Sequence, residues 1–191
     1  MSVSITDRTV NGVELPLAGT YVFDPAHTTV EFIGKHMFTK TRGRFTRASG
    51  TITIGERPEA SSVDVDIEAS SLQSNSEQRD QHLRSPDFLN VEAFPSISFR
   101  STELRLGSGR DFELDGELTI KDISRPVTLR GEFLGWATDP FGHTSAGFTA
   151  QTAFEREDFE MTWNVALEAG GWLVGKTVTV EIEVEAHRQE G

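Results

Sequence analysis

The chain has 191 residues, 36% of them hydrophobic and 25% charged, a net charge of −12 and no cysteine. This composition suits one soluble domain with a sizeable core, excludes disulfide and thiolate-metal scaffolds, and makes a phosphate backbone a repelled partner. No apolar run approaches the ~20 residues of a membrane-spanning helix, so neither nucleic acid nor stable membrane insertion is expected.

Residues 1–19, MSVSITDRTVNGVELPLAG, have neither a basic start nor an apolar block. They read as an N-terminal arm without a secretory signal, and the expected compartment is the cytoplasm. From there the dominant period is two. Weak alternating runs cover roughly 28–38 and 44–54, and a clear one follows, with Val63, Val65 and Ile67 alternating with Asp64, Asp66 and Glu68. Such alternation marks antiparallel strands with one dry face. Ser74-Asn75-Ser76-Glu77 then fits a capping box, and QRDQHLR holds helix formers without a β-branched residue. The pattern predicts a helix over 75–84, and Ser85-Pro86 predicts a short helical turn at 86–89. Further runs lie at about 96–105, 111–121, 126–137 and 146–156. The last strand alternates Val178, Val180, Ile182 and Val184 with Thr179, Glu181, Glu183 and Glu185. Breaks such as GERPE, GSGRD and TDPFGH act as turns. About eight strands with one helical excursion predict an all-β closed barrel or sandwich.

Residues 170–177, GGWLVGKT, satisfy the phosphate-loop pattern G-x-x-x-x-G-K-[ST]. In a phosphate-binding loop a helix must follow, whereas here the lysine opens TVTVEIEVEA, the clearest strand of the chain. The match is a coincidence of letters. Among His27, His36, His82, His143 and His187 there is no H-E-x-x-H pair, so no metal is expected. No G-x-S-x-G elbow appears, and the paired carboxylates lie on wet strand faces, so no catalytic set emerges. Two segments have a denser chemistry. Between Phe32 and Gly55 there is no acidic residue, yet Lys35, Lys40, Arg42, Arg44 and Arg47 fall there. In the predicted helix, Arg79 and His82 share a face, and Asp80 is spaced to pair with Arg84. Each segment is either a solvated surface or a cationic rim that meets a polar ligand group. Phe32, Phe45, Phe99, Phe112, Phe133, Phe148 and Phe154 recur on dry strand faces; they either fill the barrel or line a tunnel.

Ordered blocks run through the chain: YVFDPAHTTVEF (Tyr21–Phe32), Lys35-His36, Gly43–Phe45, RDQHLRSPDF (Arg79–Phe88), FPSISF (Phe94–Phe99), GELTI (Gly116–Ile120), PVTL (Pro126–Leu129), Gly147-Phe148 and EREDF (Glu155–Phe159). In these blocks the sequence resembles the YceI family of bacterial lipocalin-like proteins. The likeness covers about residues 20–186 and leaves outside the arm and a 187–191 tail. It implies an elongated, lipocalin-like eight-stranded antiparallel β-barrel with the helical segment (about 75–89) flanking its open end. It also implies an interior that holds a long-chain isoprenoid or similar amphipathic lipid. The matching polar positions are His27, His36, Arg79, Asp80, His82 and Arg84. Joined to the cationic rim and dry faces, they give an expected polar mouth of His27, His36, Arg44, Arg79, His82 and Arg84. The expected apolar lining is Phe32, Phe45, Val65, Ile67, Phe99, Phe112, Phe133, Phe148 and Phe154. The expected role is non-catalytic binding, transport or sequestration, with no cofactor beyond the bound lipid. The alternative is an enzyme acting on an isoprenoid or quinone-type lipid, for which His27, His36, His82 and Asp80 are the available groups. Homodimerisation is left open. Three positions depart from the family pattern: Thr28 ends D-P-A-H-T, and Asp122 and Glu160 stand where glycines are usual, with altered loops and mouth shape as the expected consequence.

Overall fold

The computed structural model describes residues 8–190. A hairpin comes first, β1 (Thr9–Val10) and β2 (Val13–Glu14), turning at Asn11-Gly12 with both residues at positive φ. The barrel then opens with two broken strands. The first is β3 (Gly19–Phe23) continued by β4 (Thr29–His36), and the second is β5 (Thr39–Phe45) continued by β6 (Ala48–Ile54). Next come β7 (Ser62–Glu68), a short β8 (Leu72–Gln73) and the helix α1 (Glu77–Arg84). The remaining strands are β9 (Ser96–Leu106), β10 (Asp111–Ile120), β11 (Ile123–Thr138), β12 (Thr144–Glu155) and β13 (Thr177–Arg188).

Each barrel strand pairs antiparallel with its neighbour in sequence. β13 closes the ring, pairing with β12 on one side and with β3 and β4 on the other. Counting each broken strand once, eight strands form a closed antiparallel barrel. With about 3.3 Å per residue and the usual tilt, twelve-residue β13 sets a barrel height of roughly 30 Å. Strand β13 runs on to Arg188, which pairs with Tyr21. Residues 187 and 188, expected as tail, are therefore wall.

Inward side chains form three clusters stacked along the barrel. Tyr21, Phe23, Ile52 and Phe133 lie towards one end, Phe99, Leu114 and Leu129 in the middle, and Ile97, Ile120, Phe88 and Phe159 towards the other. The inward rings lie against the wall because a glycine on the next strand leaves room for them. A Cβ on Gly43 would stand 2.2 Å from the Phe32 ring, and one on Gly116 would stand 2.4 Å from the Phe99 ring. Gly50 under Phe23 and Gly131 under Phe112 repeat the arrangement. Rings held flat in this way leave the barrel axis free.

The helix differs in detail from its sequence reading. Asn75 adopts a left-handed φ of 61°, so the cap is Ser76, whose hydroxyl accepts from the Arg79 amide. Ser74, the expected cap, is instead buried and donates to the Asp80 carboxylate. Asp80 is thereby occupied, and Arg84 does not pair with it but donates to the carbonyls of Ser70 (3.0 Å) and Leu72 (2.6 Å). Residues 86–89 form hydrogen-bonded turns rather than helix, with the Phe88 amide on the Ser85 carbonyl. Asp122 and Glu160 keep the left-handed backbone that glycine would favour, at φ 59° and 57°. Lys121-Asp122 makes the two-residue β10–β11 turn, and Glu160 ends the short turn of helix after β12.

Candidate functional site: a tunnel along the barrel

One continuous cavity of about 680 Å³ follows the barrel axis. Its middle is bounded by Val65, Phe99, Leu114, Val127, Leu129, Ala150 and Ile182, all apolar. At the helix end, Lys35, His36, Thr41, Gln78, Arg79 and His82 border it, together with Leu173, Val174 and Gly175. At the far end the floor is made by Arg8, Val10, Val13, Leu15 and Pro16, from the β1–β2 hairpin and its flanks. That hairpin is fastened across the barrel end by Arg8, which donates to the Gly55 carbonyl (2.6 Å), and by Asn11, which donates to that of Gly107 (3.0 Å). The tunnel therefore has an apolar shaft with polar side chains at both ends: those named at the helix-end mouth, and Arg8, Arg110 and Asp111 at the hairpin floor.

The structure gathers some expected site residues and disperses others. Phe32, Phe45, Val65, Ile67, Phe99, Phe112, Phe133, Phe148 and Phe154 all border the cavity, as do His36, Arg79 and His82. His82 is clamped edge-on between Phe88 (5.0 Å) and Trp163 (4.5 Å), with Nε2 2.9 Å from the Asp87 carboxylate. Arg79 donates from Nε to the Ser74 hydroxyl at 2.7 Å. Three others do not border the cavity. Arg84 straps α1 to the wall through the two carbonyls named above, and Arg44 is exposed on the outside of β5, facing away from the shaft. His27 lies on the turn between β3 and β4, where the break shifts the alternation, and its Nδ1 meets Asp24 Oδ2 at 2.6 Å on the outer wall.

The sequence matches the family model of the YceI-like domain over residues 21–186. The chain belongs to the YceI family. It is 35% identical over 178 residues to a UPF0312 protein of Pectobacterium carotovorum, covering 91% of this chain and 89% of the relative. A solved YceI protein of Campylobacter jejuni is 25% identical with a TM-score of 0.70, over 80% of this chain and 88% of that one. A polyisoprenoid-binding domain from Saccharophagus degradans, implicated in plant cell wall breakdown, shares the fold at 11% identity and a TM-score of 0.64, over 91% of this chain and all of that domain. Residues 8–20, which supply the floor, precede the YceI match.

One mouth residue of this YceI chain was not singled out by the sequence reading. Arg156 is 2% exposed and borders the cavity. Its Nε donates to the Gly175 carbonyl (2.8 Å) and its Nη1 to the carbonyls of Met161 and Trp163, while Nη2 is buried with no hydrogen-bond partner among the described residues. The guanidinium stands 5.9 Å from the Phe88 ring centre. Burial pushes its pKa down, against the opposing pull of Glu157 and Glu155. Arg156 thus pins residues 161–175, one side of the mouth, to the end of β12. In sequence it sits between two acids in E-R-E-D-F and looks like an ordinary solvated cation.

On the outer wall, Asp24 also receives His187 Nε2 at 3.1 Å, and His187 Nδ1 meets Ser145 Oγ at 2.7 Å. Asp24, Glu185 and His187 bring ligand-type atoms within 4.8 Å of one another. The His27 hydrogen bond, first, with the Ala26 amide and His187, holds the Asp24 carboxyl down to about 2, and Asp24 in turn raises His27. The signs fix a pH window. A depressed carboxyl stabilises the fold above its unfolded value, near 4, and that contribution is lost as pH falls through 2. A raised histidine stabilises below its ordinary 6.5, and that contribution is lost as pH rises through the folded value. The pair therefore contributes most between about pH 4 and 6.5. In urea unfolding, His27→Ala should lower the midpoint more at pH 5.5 than at pH 9. An equal loss at both would show that the imidazolium is not the source.

Proposed function

We propose that this protein holds one long isoprenoid-type amphiphile in the tunnel, tail inward and polar head at the helix-end mouth, as a non-catalytic carrier or sequestering protein. The observation that carries this reading is the division of the cavity into an apolar shaft and a mouth bordered by Lys35, His36, Gln78, Arg79 and His82. A volume of 680 Å³ is within the range of small-molecule sites, and a ~30 Å shaft suits an extended prenyl tail. The fold shared with the polyisoprenoid-binding domain of S. degradans agrees with that ligand class.

Burial of each CH₂ contributes roughly 0.8 kcal/mol gross, reduced by the ordering of a flexible tail. Affinity should climb several-fold with each added isoprene unit and become flat once the shaft is full. Titration with a prenyl alcohol series of increasing length reads this directly, and equal affinity for short and long tails would overturn the tunnel reading. Native mass spectrometry of the complex, with the lipid recovered afterwards at unchanged mass, separates carriage from turnover.

A further inference from the structure

The mouth carries a second feature that cargo binding does not use. Residues 164–175 form a hairpin that adds to the edge of β4: Val174 bridges His36, the Met37 amide donates to the Leu173 carbonyl (2.9 Å), and Trp172 bridges Ala166. Trp172 is thus two residues from the bridge that ends β4, next to the β4–β5 turn that carries Phe38. Phe38 is 88% exposed and Trp172 57%, with Met37 and Val165 also exposed beside them. Large apolar side chains clustered at a protruding tip are costly to leave in water and mark an interaction site.

Charge says what they meet. Arg42 and Arg47 are paired with carboxylates on the barrel wall, but Lys35 and Lys40, opposite each other next to the β4–β5 turn, form no ion pair among the described residues. Glu168 is the opposing charge on the 164–175 hairpin. The chain as a whole is at −12, so this is a local reversal of sign. Its field acts within about 10 Å, the Debye length at 0.1 M salt. Two unpaired lysines beside exposed aromatic residues fit an anionic bilayer surface, where Trp and Phe enter the headgroup region and lysines face phosphates. The tip also borders the tunnel mouth, since Leu173 and Val174 line the cavity.

We infer that the Phe38–Trp172 tip docks the barrel reversibly, mouth first, on anionic lipid membranes. Its purpose, loading or releasing cargo at the bilayer, rests on the carrier reading; its test does not.

The test uses apo protein with vesicles of phosphatidylcholine alone or mixed equally with phosphatidylglycerol. Co-sedimentation should show association with the mixed vesicles, accompanied by a blue shift of tryptophan emission that Trp172→Phe abolishes. Phe38→Ala should weaken association about tenfold or more, and Lys40→Gln about fivefold. Neither residue borders the tunnel, so both variants should keep wild-type affinity for a prenyl alcohol. Absence of vesicle binding, or binding unchanged in Phe38→Ala, overturns the proposal. Equal binding to both vesicle types overturns its anionic specificity. A dimer in light scattering that Phe38→Ala converts to monomer would make the tip an interface between copies and would also overturn it. Loss of prenyl binding with docking intact would instead count against the carrier reading.

Discussion

Ala150→Trp should cut the cargo short. Ala150 faces the shaft at mid-height, opposite Gly131 on β11 and Ile182 on β13, and packs against the Phe99–Leu114–Leu129 cluster. An indole there has nowhere to go but across the axis. Tails that end above the obstruction keep their contacts, and longer ones lose whatever passed below it. Two isoprene units contain about ten carbons, worth several kcal/mol gross at ~0.8 kcal/mol each. Even after ordering costs, long prenyl alcohols should lose at least about 100-fold in affinity, or ~2.7 kcal/mol. The shortest should change less than about threefold, and the length at which affinity becomes flat should fall.

The same substitution probes the shaft from the stability side. Where an empty lumen receives the added ring, the unfolding midpoint should move little. Overpacking a filled core costs roughly 1–3 kcal/mol or more. A variant that binds long tails as well as the parent would place the cargo elsewhere than the shaft.

The strands were readable where one face is wet, because charged residues between apolar ones declare the alternation, as in β7 and β13. The opening strand was less so: β3 is five residues long and is interrupted at once by Asp24-Pro25. Asn11-Gly12, a strong hairpin turn pair, lay in the arm and was the available clue to the floor. Alternation tells which side chains point inward but not whether they meet, so packed core and tunnel read alike. The difference depends on the Phe32–Gly43 and Phe112–Gly131 pairings, which acquire meaning only when register puts each ring over its glycine. Polar residues fared worse for a similar reason. His27 sits at a break in strand phase, and whether Arg84 or Arg79 faces the mouth depends on how α1 is strapped down. For Arg156, burial comes from a loop that returns over it from residues 161–175, a contact no local pattern records.

Whether the lumen is open is settled most directly by two chemically equal truncations. Phe159 is 0% exposed and stands edge-on to Phe154 at 5.2 Å, packed on all sides in the helix-end cluster. Phe159→Ala should leave a cavity and cost about 3–5 kcal/mol. Phe148 touches Phe133 (5.4 Å) and Phe112 (6.4 Å) on its wall side but borders the shaft on the other. Its ring already lacks neighbours there, and its removal widens an existing space instead of creating a new one. Phe148→Ala should therefore cost only about 1–2 kcal/mol, the loss of its wall-side contacts. Urea unfolding of both proteins in the absence of lipid measures the difference. Equal costs would mean that the apo barrel collapses onto its own aromatic side chains and opens only for cargo. A twofold or greater gap means that the shaft stands open before a ligand arrives, its rings held to the wall by the glycines opposite them.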